Sequence, residues 1–341
     1  MTGAPILLVT YAAGRRDRAT IAAAVGEAAC IVHLSDLSDD ERAEALRSAT
    51  VLLARHTGRD LRPGEAAQLE TTRLIQFVTA GVDYIPLSDL PPHIPIAANA
   101  GAYAEQMAEH ALAMALAAVK RLLPEHAALR RGEFNQRTPN RRLAGMTCGI
   151  LGMGGIGTAV ARLMRAVGMR VHAINRRGAT DEPVDWIGTV ADLDRLLAAS
   201  DVLVIAVPLN RATNGMIGAR ELGLMKPDAV LVNLARGEIV DEAALYDHLR
   251  AQPGFTACLD AWWIEPVRHG FFRMDHPFLD LPNVIGSPHN SASAPDATEV
   301  GLQRAVANAL VALRGGTPGH LIGADERAFV LAPVRLAADG S

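Results

Sequence analysis

Between Thr147 and Arg177 the chain reads TCGILGMGGIGTAVARLMRAVGMRVHAINRR, and few folds accept such a segment. A short β-leaning apolar run, Cys148 to Leu151, leads into Gly152-Met-Gly154-Gly155-Ile156-Gly157. Ile156, Val160, Leu163, Met164 and Val167 then recur at i, i+3 and i+4 spacing, which predicts a helix. Gly168 closes that helix, and Val171 to Ile174 reads as a second strand. Glycines placed between a strand and a helix have separate tasks. The first permits the tight turn, the second lets backbone N–H groups approach a pyrophosphate, and the third lets helix and strand pack closely. The helix N-terminus turns its positive dipole end to the phosphates. With strand, helix and second strand all in place, the segment reads as a dinucleotide site.

The second strand ends at Asn175-Arg176-Arg177, about 20 residues beyond the glycines, where an acidic residue would read the ribose hydroxyls of NAD. No carboxylate stands there. An aspartate would repel a 2′-phosphate, whereas neighbouring guanidiniums pair with one through charge-assisted hydrogen bonds. These residues favour NADP(H), with NAD(H) as the second cofactor, although a solvated basic loop at a strand end fits them as well.

The 341 residues suffice for two domains with their own cores, and 50% hydrophobic with 21% charged describes a globular chain rather than a disordered one. A net charge of −4 gives no electrostatic case for nucleic acid or an anionic membrane as partner. The opening MTGAPILLVTYAAGRRDRA has an apolar run too short, and charges too late, for a secretion signal. The longest apolar stretch, Ala108 to Val119, is interrupted by Glu109 and His110 and falls short of a membrane span. Cys30, Cys148 and Cys258 are scattered without CxxC spacing, two of them in predicted strands. They read as buried free thiols, so a cytoplasmic enzyme without a metal site is expected.

The first hundred residues alternate strand and helix. Ile6 to Thr10, Ile31 to Leu34, Val51 to Ala54, Leu74 to Thr79 and Ile94 to Ala98 read as strands; Arg18 to Ala28 and Asp39 to Ser48 read as helices. Such alternation predicts an open parallel sheet with helices on both faces, and the loop after the first strand carries no phosphate fingerprint. Ligands sit beyond the carboxyl ends of parallel strands. Arg55 follows the third strand, and Ala80-Gly81-Val82 follows the fourth. Backbone N–H groups there suit a small carboxylate, and an ordinary turn is the equal alternative. Ala102 to Arg131 is alanine-rich and reads as one long helix or two end to end, kinked or divided at Pro124, and as a connector between two α/β units.

After Arg177 the alternation continues. Asp192 to Ala198 reads as a helix, and Asp201 to Ala206 as a strand ending at Val207 and Pro208, which are counted among the cofactor contacts. Ala229 to Leu234, Thr256 to Leu259 and Val284 to Gly286 read as strands; Asp241 to Arg250 and Thr298 to Arg314 read as helices. Three of these strands end in chemistry. Arg236 follows the first, Asp260 and Glu265 the second, and His289 the third. A guanidinium grips a carboxylate with two parallel hydrogen bonds. A histidine moves a proton, and a carboxylate orients the ring and stabilises its charge. Taken singly, each has a plainer reading: Arg236 as a strand cap or phosphate ligand, Glu265 as a surface carboxylate, His289 as a satisfied loop histidine. Their joint occurrence at three strand ends is what suits hydride transfer at a carbonyl.

GMGGIG at Gly152 to Gly157, NLARGEIVDEAAL at Asn233 to Leu245, LDAWWIEP at Leu259 to Pro266 and SPHNSA at Ser287 to Ala292, in this order, resemble the D-isomer-specific 2-hydroxyacid dehydrogenase family. VTAGVDYIP at Val78 to Pro86 resembles that family's substrate-carboxylate loop. The resemblance implies two doubly wound parallel-sheet domains of α/β class. Residues 1–99 with 293–341 would form a flavodoxin-like substrate domain, and 100–292 a Rossmann cofactor domain inserted into it. It implies that Arg236 binds the substrate carboxylate, that His289 is the acid/base with Glu265 as partner, and that Asp260 holds the nicotinamide carboxamide. Asn175 replaces the family's usual aspartate, as in its NADPH-dependent glyoxylate and hydroxypyruvate reductases. Glu265 stands where formate dehydrogenases carry glutamine, which counts against formate oxidation. A small 2-oxoacid or 2-hydroxyacid as substrate and a homodimer as assembly are the further expectations. Two other readings keep the scaffold: a phosphite-type dehydrogenase, and a dinucleotide-sensing protein like the family's transcriptional corepressors. Trp262, Trp263, Phe271 and Phe272 crowd the segment before the histidine and suit an apolar pocket, a dimer contact or, equally, a core.

Overall fold

A computed structural model of the chain describes residues 4–330. They form two units: one holds the described residues up to Tyr103 together with those from Ala294, the other Ala104–Ser293. The tail after 330, expected in the substrate domain, lies outside the described residues.

In the first unit, β1 (Ile6–Val9), β2 (Cys30–His33), β3 (Val51–Ala54), β4 (Leu74–Phe77) and β5 (Ile96–Ala97) pair in the order β2-β1-β3-β4-β5. All are parallel. This is the flavodoxin-like doubly wound order. The central strands are apolar without alternation because both faces are covered: all four residues of β3 are buried, and so are those of β4. Helices α1 (Arg15–Val25), α2 (Asp39–Ser48) and the one-turn α3 (Thr57–Asp60) follow the first three strands. Helix α1 begins and ends about a turn earlier than its sequence pattern suggests, because Gly26 adopts φ +53 and stops it. Helix α2 opens with a capping box in which Ser38 and Glu41 answer each other's backbone.

In the second unit, the chain enters through α4 (Ala104–Val119) and α5 (Leu122–Arg130). The two are divided at Arg121, which takes φ +53, and not at Pro124. Pro124 is the third residue of α5, where its missing N–H is one of those without an intrahelical acceptor. The buried stripe of α4 is Met107, Ala108, Ala111, Met114, Ala115 and Val119. Its alanines let it pack closely on α6 (Gly155–Ala166), so α4 is a layer of this unit rather than a free connector.

Strands β6 (Thr147–Leu151), β7 (Arg170–Ile174), β8 (Trp186–Gly188), β9 (Val202–Ile205), β10 (Val230–Asn233), β11 (Thr256–Leu259) and β12 (Val284–Gly286) form a seven-stranded sheet, ordered β12-β11-β10-β9-β6-β7-β8. Every pairing is parallel. This is the Rossmann order with one added edge strand, and the switch point lies between β6 and β9. Helices α7 (Leu193–Ala199), α8 (Ala219–Leu224), α9 (Glu242–Ala251) and the short α10 (Pro266–His269) belong to this unit. Strand β8 and helix α8 carry no clear signal in the sequence. Helices α11 (Ala297–Leu313) and α12 (Ala324–Arg327) complete the first unit, where α11 buries Leu302, Ala305, Val306 and Ala309 against Leu7, Val9, Leu53 and Leu74.

Cys148 and Cys258 are buried, and burial pushes the Cys148 thiol up to about 12 and the Cys258 thiol higher still. Cys30 departs from expectation: it is exposed, on edge strand β2. Among the described residues no helix is long and apolar enough to cross a membrane.

Candidate active site

Because all seven strands of the second unit are parallel, their carboxyl ends share one edge. The chain leaves β6 at Gly152, β7 at Asn175, β9 at Ala206-Val207-Pro208, β10 at Leu234, β11 at Asp260 and β12 at Ser287. Gly152 has φ +104, and a Cβ there would stand 2.7 Å from Val207 Cγ1 and 2.8 Å from the Ala206 carbonyl. The turn after β6 therefore lies directly against the segment after β9, at the switch point. A Cβ on Gly157 would stand 2.1 Å from the Gly152 carbonyl oxygen and 3.0 Å from Ile150 Cγ2, which is the close approach of α6 to its strand. A Cβ on Gly154 would meet nothing within 4 Å. Gly154 is the N-cap of α6 and carries no side-chain cap, and Gly155 and Ile156 begin the helix. Its first N–H groups and the open space beside Gly154 fit a pyrophosphate.

At the end of β7, Asn175 Oδ1 accepts from the N–H groups of Arg177 (2.9 Å) and Gly178 (2.8 Å), while Nδ2 donates to the Ala179 carbonyl at 2.9 Å. The asparagine thus builds its own turn, and Arg176 and Arg177 stand exposed on it.

On the other side of the switch point, β10 ends in Asn233, whose Nδ2 donates to the Arg236 carbonyl (2.8 Å) and whose Oδ1 accepts from Ala235 N (3.1 Å). Arg236 is thereby fixed as the N-cap of a 3-10 turn, Gly237–Ile239, and its Nη1 donates to the Ala235 carbonyl at 2.8 Å.

The most tightly organised part lies beyond β11 and β12. Register pairs Leu259 with Gly286, so Asp260 and Ser287 leave the sheet side by side. Asp260 is wholly buried. Its Oδ1 accepts from Ser287 Oγ (2.5 Å) and Asn290 N (3.1 Å), its Oδ2 from Ser291 N (3.1 Å), and its backbone carbonyl from His289 N (2.9 Å). This clamp holds His289 at φ +50, a left-handed conformation that costs a non-glycine residue on the order of 1–3 kcal/mol. His289 Nδ1 meets Glu265 Oε2 at 2.8 Å. Glu265 Oε1 accepts from Trp262 N at 2.7 Å, so both carboxylate oxygens are engaged in a buried setting. Burial pushes Glu265 up, but the hydrogen bond and charge of His289 outweigh it and hold the carboxyl below its ordinary value.

Several contributors carry no motif. His110, on α4, places Nε2 3.0 Å from Ser287 Oγ. Since the serine's one proton goes to Asp260, His110 must donate. The one signal for it was an ionisable residue interrupting an alanine-rich helix. Trp262 Nε1 donates to the Ser287 carbonyl and Trp263 Nε1 to that of Val240, both at 2.8 Å. The two indoles are thus buried brackets between segments of the site, whereas Phe271 and Phe272 are exposed.

The first unit, taken by itself, has two strand ends with candidate groups. Ala80 and Gly81 are half-buried and Val82 is buried. Among the described residues, none of their three N–H groups donates to a backbone carbonyl. Arg55 lies over the Tyr11 ring, 4.6 Å from its centroid, and 3.4 Å from Asp17 Oδ2.

The profile of the "D-isomer specific 2-hydroxyacid dehydrogenase, NAD binding domain" matches residues 112–291, more than half the chain. The chain belongs to the D-isomer-specific 2-hydroxyacid dehydrogenase family. Within this family it is similar to a glycerate dehydrogenase of Methylorubrum extorquens, 30% identical over 84% of this chain and 90% of that protein. It is also similar to a D-3-phosphoglycerate dehydrogenase of Archaeoglobus fulgidus, 33% identical over 72% of this chain and 46% of that one. The chain thus spans about half the length of the phosphoglycerate dehydrogenases it matches. Other relatives carry the names hydroxypyruvate reductase and glyoxylate reductase. Among solved structures, a D-isomer-specific 2-hydroxyacid dehydrogenase family protein from Aeromonas salmonicida superposes with a TM-score of 0.74 at 26% identity, covering 94% of this chain and 99% of that one.

Proposed function

We propose that this protein is an NADPH-dependent reductase of small 2-oxoacids, yielding D-2-hydroxyacids of the glyoxylate and hydroxypyruvate class. The observation that carries the reading is the His289–Glu265 pair, held at 2.8 Å on the sheet edge that also bears the glycine turn. Glycines 152, 154, 155 and 157, with Ile156, Val207 and Pro208, are the residues that would hold the dinucleotide. When bound, it supplies the hydride and accepts it back in the reverse direction. The other tasks fall to side chains. Arg236 grips the carboxylate of the oxoacid with two parallel hydrogen bonds, which fixes its keto group in orientation. Protonated His289 donates from Nε2 to the carbonyl oxygen as it gains negative charge, because Nδ1 is taken by Glu265. Glu265 stabilises the imidazolium and selects which ring nitrogen faces the substrate. Asp260 fixes the His289 backbone; the family resemblance adds a contact with the nicotinamide carboxamide, for which one of its carboxylate oxygens would have to release an internal partner. In the first unit, the amides of Ala80, Gly81 and Val82 and the Arg55 guanidinium are the groups suited to a carboxylate.

The preference for NADPH rests on Arg176 and Arg177, exposed beyond β7 with no carboxylate at position 175. The cytoplasm remains the proposed compartment. A homodimer is the proposed assembly, formed through α5 and the loop after it, where Leu122, Leu123, Leu129 and Phe134 are all exposed. Light scattering on purified protein tests this: a dimer is expected from the wild type and a monomer from the Leu122→Glu, Leu129→Glu variant. A panel of 2-oxoacids with NADPH and NADH tests the activity. Turnover of phosphite alone, or of nothing while the nucleotide still binds, would favour the oxyanion or the sensor reading.

A further inference from the structure

Glu238 and Arg268 belong to the two segments that carry the reacting groups. Glu238 lies on the 3-10 turn that Arg236 caps, and Arg268 lies on α10, which starts at the residue after Glu265. Arg268 Nη2 stands 2.6 Å from Glu238 Oε1, with the two side chains only 6% and 14% exposed. Two neutral contacts already join these segments. A Cβ on Gly237 would fall 2.5 Å from the Trp262 carbonyl carbon and the Trp263 nitrogen, and Trp263 Nε1 reaches the Val240 carbonyl. A buried ion pair adds little net stability over a well-packed apolar pair, because desolvating both charges offsets their attraction. What it does impose is geometry: a guanidinium and a carboxylate taken out of water tolerate little displacement from one another.

We propose that Glu238 and Arg268 are positioning residues for the reaction, locking the segment of Arg236 to the segment of Glu265. The pair sets where the substrate-binding guanidinium stands relative to the proton-transferring histidine. This rests on the function proposed above. It also places a compensated charge beside Glu265. The groups facing Glu265 are His289, the Arg268 cation, and His269, whose Nδ1 accepts from Glu265 N at 3.0 Å. Burial first, then the Arg268 charge, hold the His269 imidazole below its ordinary value. Removing either partner therefore acts on the dyad in two ways, through distance and through an unbalanced charge whose sign depends on which partner is lost.

The test uses the full chain as wild type, Glu238→Gln, Arg268→Met and the double variant, with steady-state kinetics, NADPH binding by fluorescence, and binding of oxalate to the enzyme–NADPH complex. Each single variant is expected to raise KM for the 2-oxoacid about tenfold, with kcat and NADPH affinity changed less than about threefold. The double variant should recover most of the loss, since it leaves neither charge unpaired. Single effects that multiply in the double variant, a matching loss of NADPH affinity, or a loss carried by kcat rather than KM would overturn the proposal. Should the wild type reduce no 2-oxoacid, the activity reading fails by itself, and oxalate affinity still decides whether this pair sets the place of the Arg236 guanidinium: equal affinity in wild type and single variants would overturn it.

Discussion

The carbonyl oxygen of Gly152 and the α-carbon of Gly157 approach so closely that a methyl group on Gly157 would lie 2.1 Å from that oxygen. Neither side can yield, because Gly152 is hydrogen-bonded through its N–H to the Ile174 carbonyl at 3.1 Å and packed on Ala206 and Val207. Gly157→Ala should therefore tilt α6 away from β6 and weaken NADPH binding at least about 100-fold, some 3 kcal/mol. Fluorescence titration with NADPH measures this, and circular dichroism shows whether the fold survives. Unchanged affinity would place the nucleotide elsewhere.

His289→Ala should lower kcat by about a thousandfold, the usual scale for a general acid. NADPH affinity should stay near wild type, because the fingerprint turn lies at other strand ends. In the wild type, kcat/KM for reduction should fall as rising pH removes the imidazole proton, and oxidation should show the opposite trend. A pH-independent reduction rate would remove His289 from the proton path.

Arg176 and Arg177 stand on a turn that Asn175 builds with its own side chain. Replacing both arginines with alanine should raise KM for NADPH about tenfold or more and leave that for NADH nearly unchanged. Asn175→Asp keeps the acceptor for the Arg177 and Gly178 amides and adds a charge that repels a 2′-phosphate, so it should shift preference toward NADH. Equal effects on both cofactors would mean that these arginines do not read the 2′-phosphate.

Glu265 links the site to stability. Its folded carboxyl lies below its ordinary value, so the stabilisation is complete above the usual carboxylate range and is lost as pH falls through the lowered value. Urea denaturation of wild type and Glu265→Gln between about pH 3 and pH 7 should show a steeper acid limb for the wild type. Parallel curves would show that the His289–Glu265 contact contributes nothing to folding.

The strongly periodic stretches were readable from residues alone. Helix α6 shows an apolar stripe framed by glycines, and β6, β9 and β10 are continuous apolar runs because both faces of the sheet are covered. Where a boundary depended on one backbone angle, pattern failed. The break between α4 and α5 falls on Arg121, which nothing in its chemistry marks, while the proline that looked like a breaker is harmless in the first turn. Strand β8 spans only three residues at the sheet edge, after a polar stretch, too short for any period to register.

The same division holds at the site. The order of glycines, strand ends and ionisable residues along the chain was enough to specify a doubly wound α/β protein and its candidate groups, because turn geometry and hydrophobic period act over neighbouring residues. Tertiary structure alone decided which groups meet. Glu265 touches His289 because parallel register sets β11 beside β12; Asp260 gathers Ser287, Asn290 and Ser291; His110 arrives from 177 residues away. Such contacts depend on how separate elements pack, and no local pattern encodes a distance between side chains that only the assembled sheet brings together.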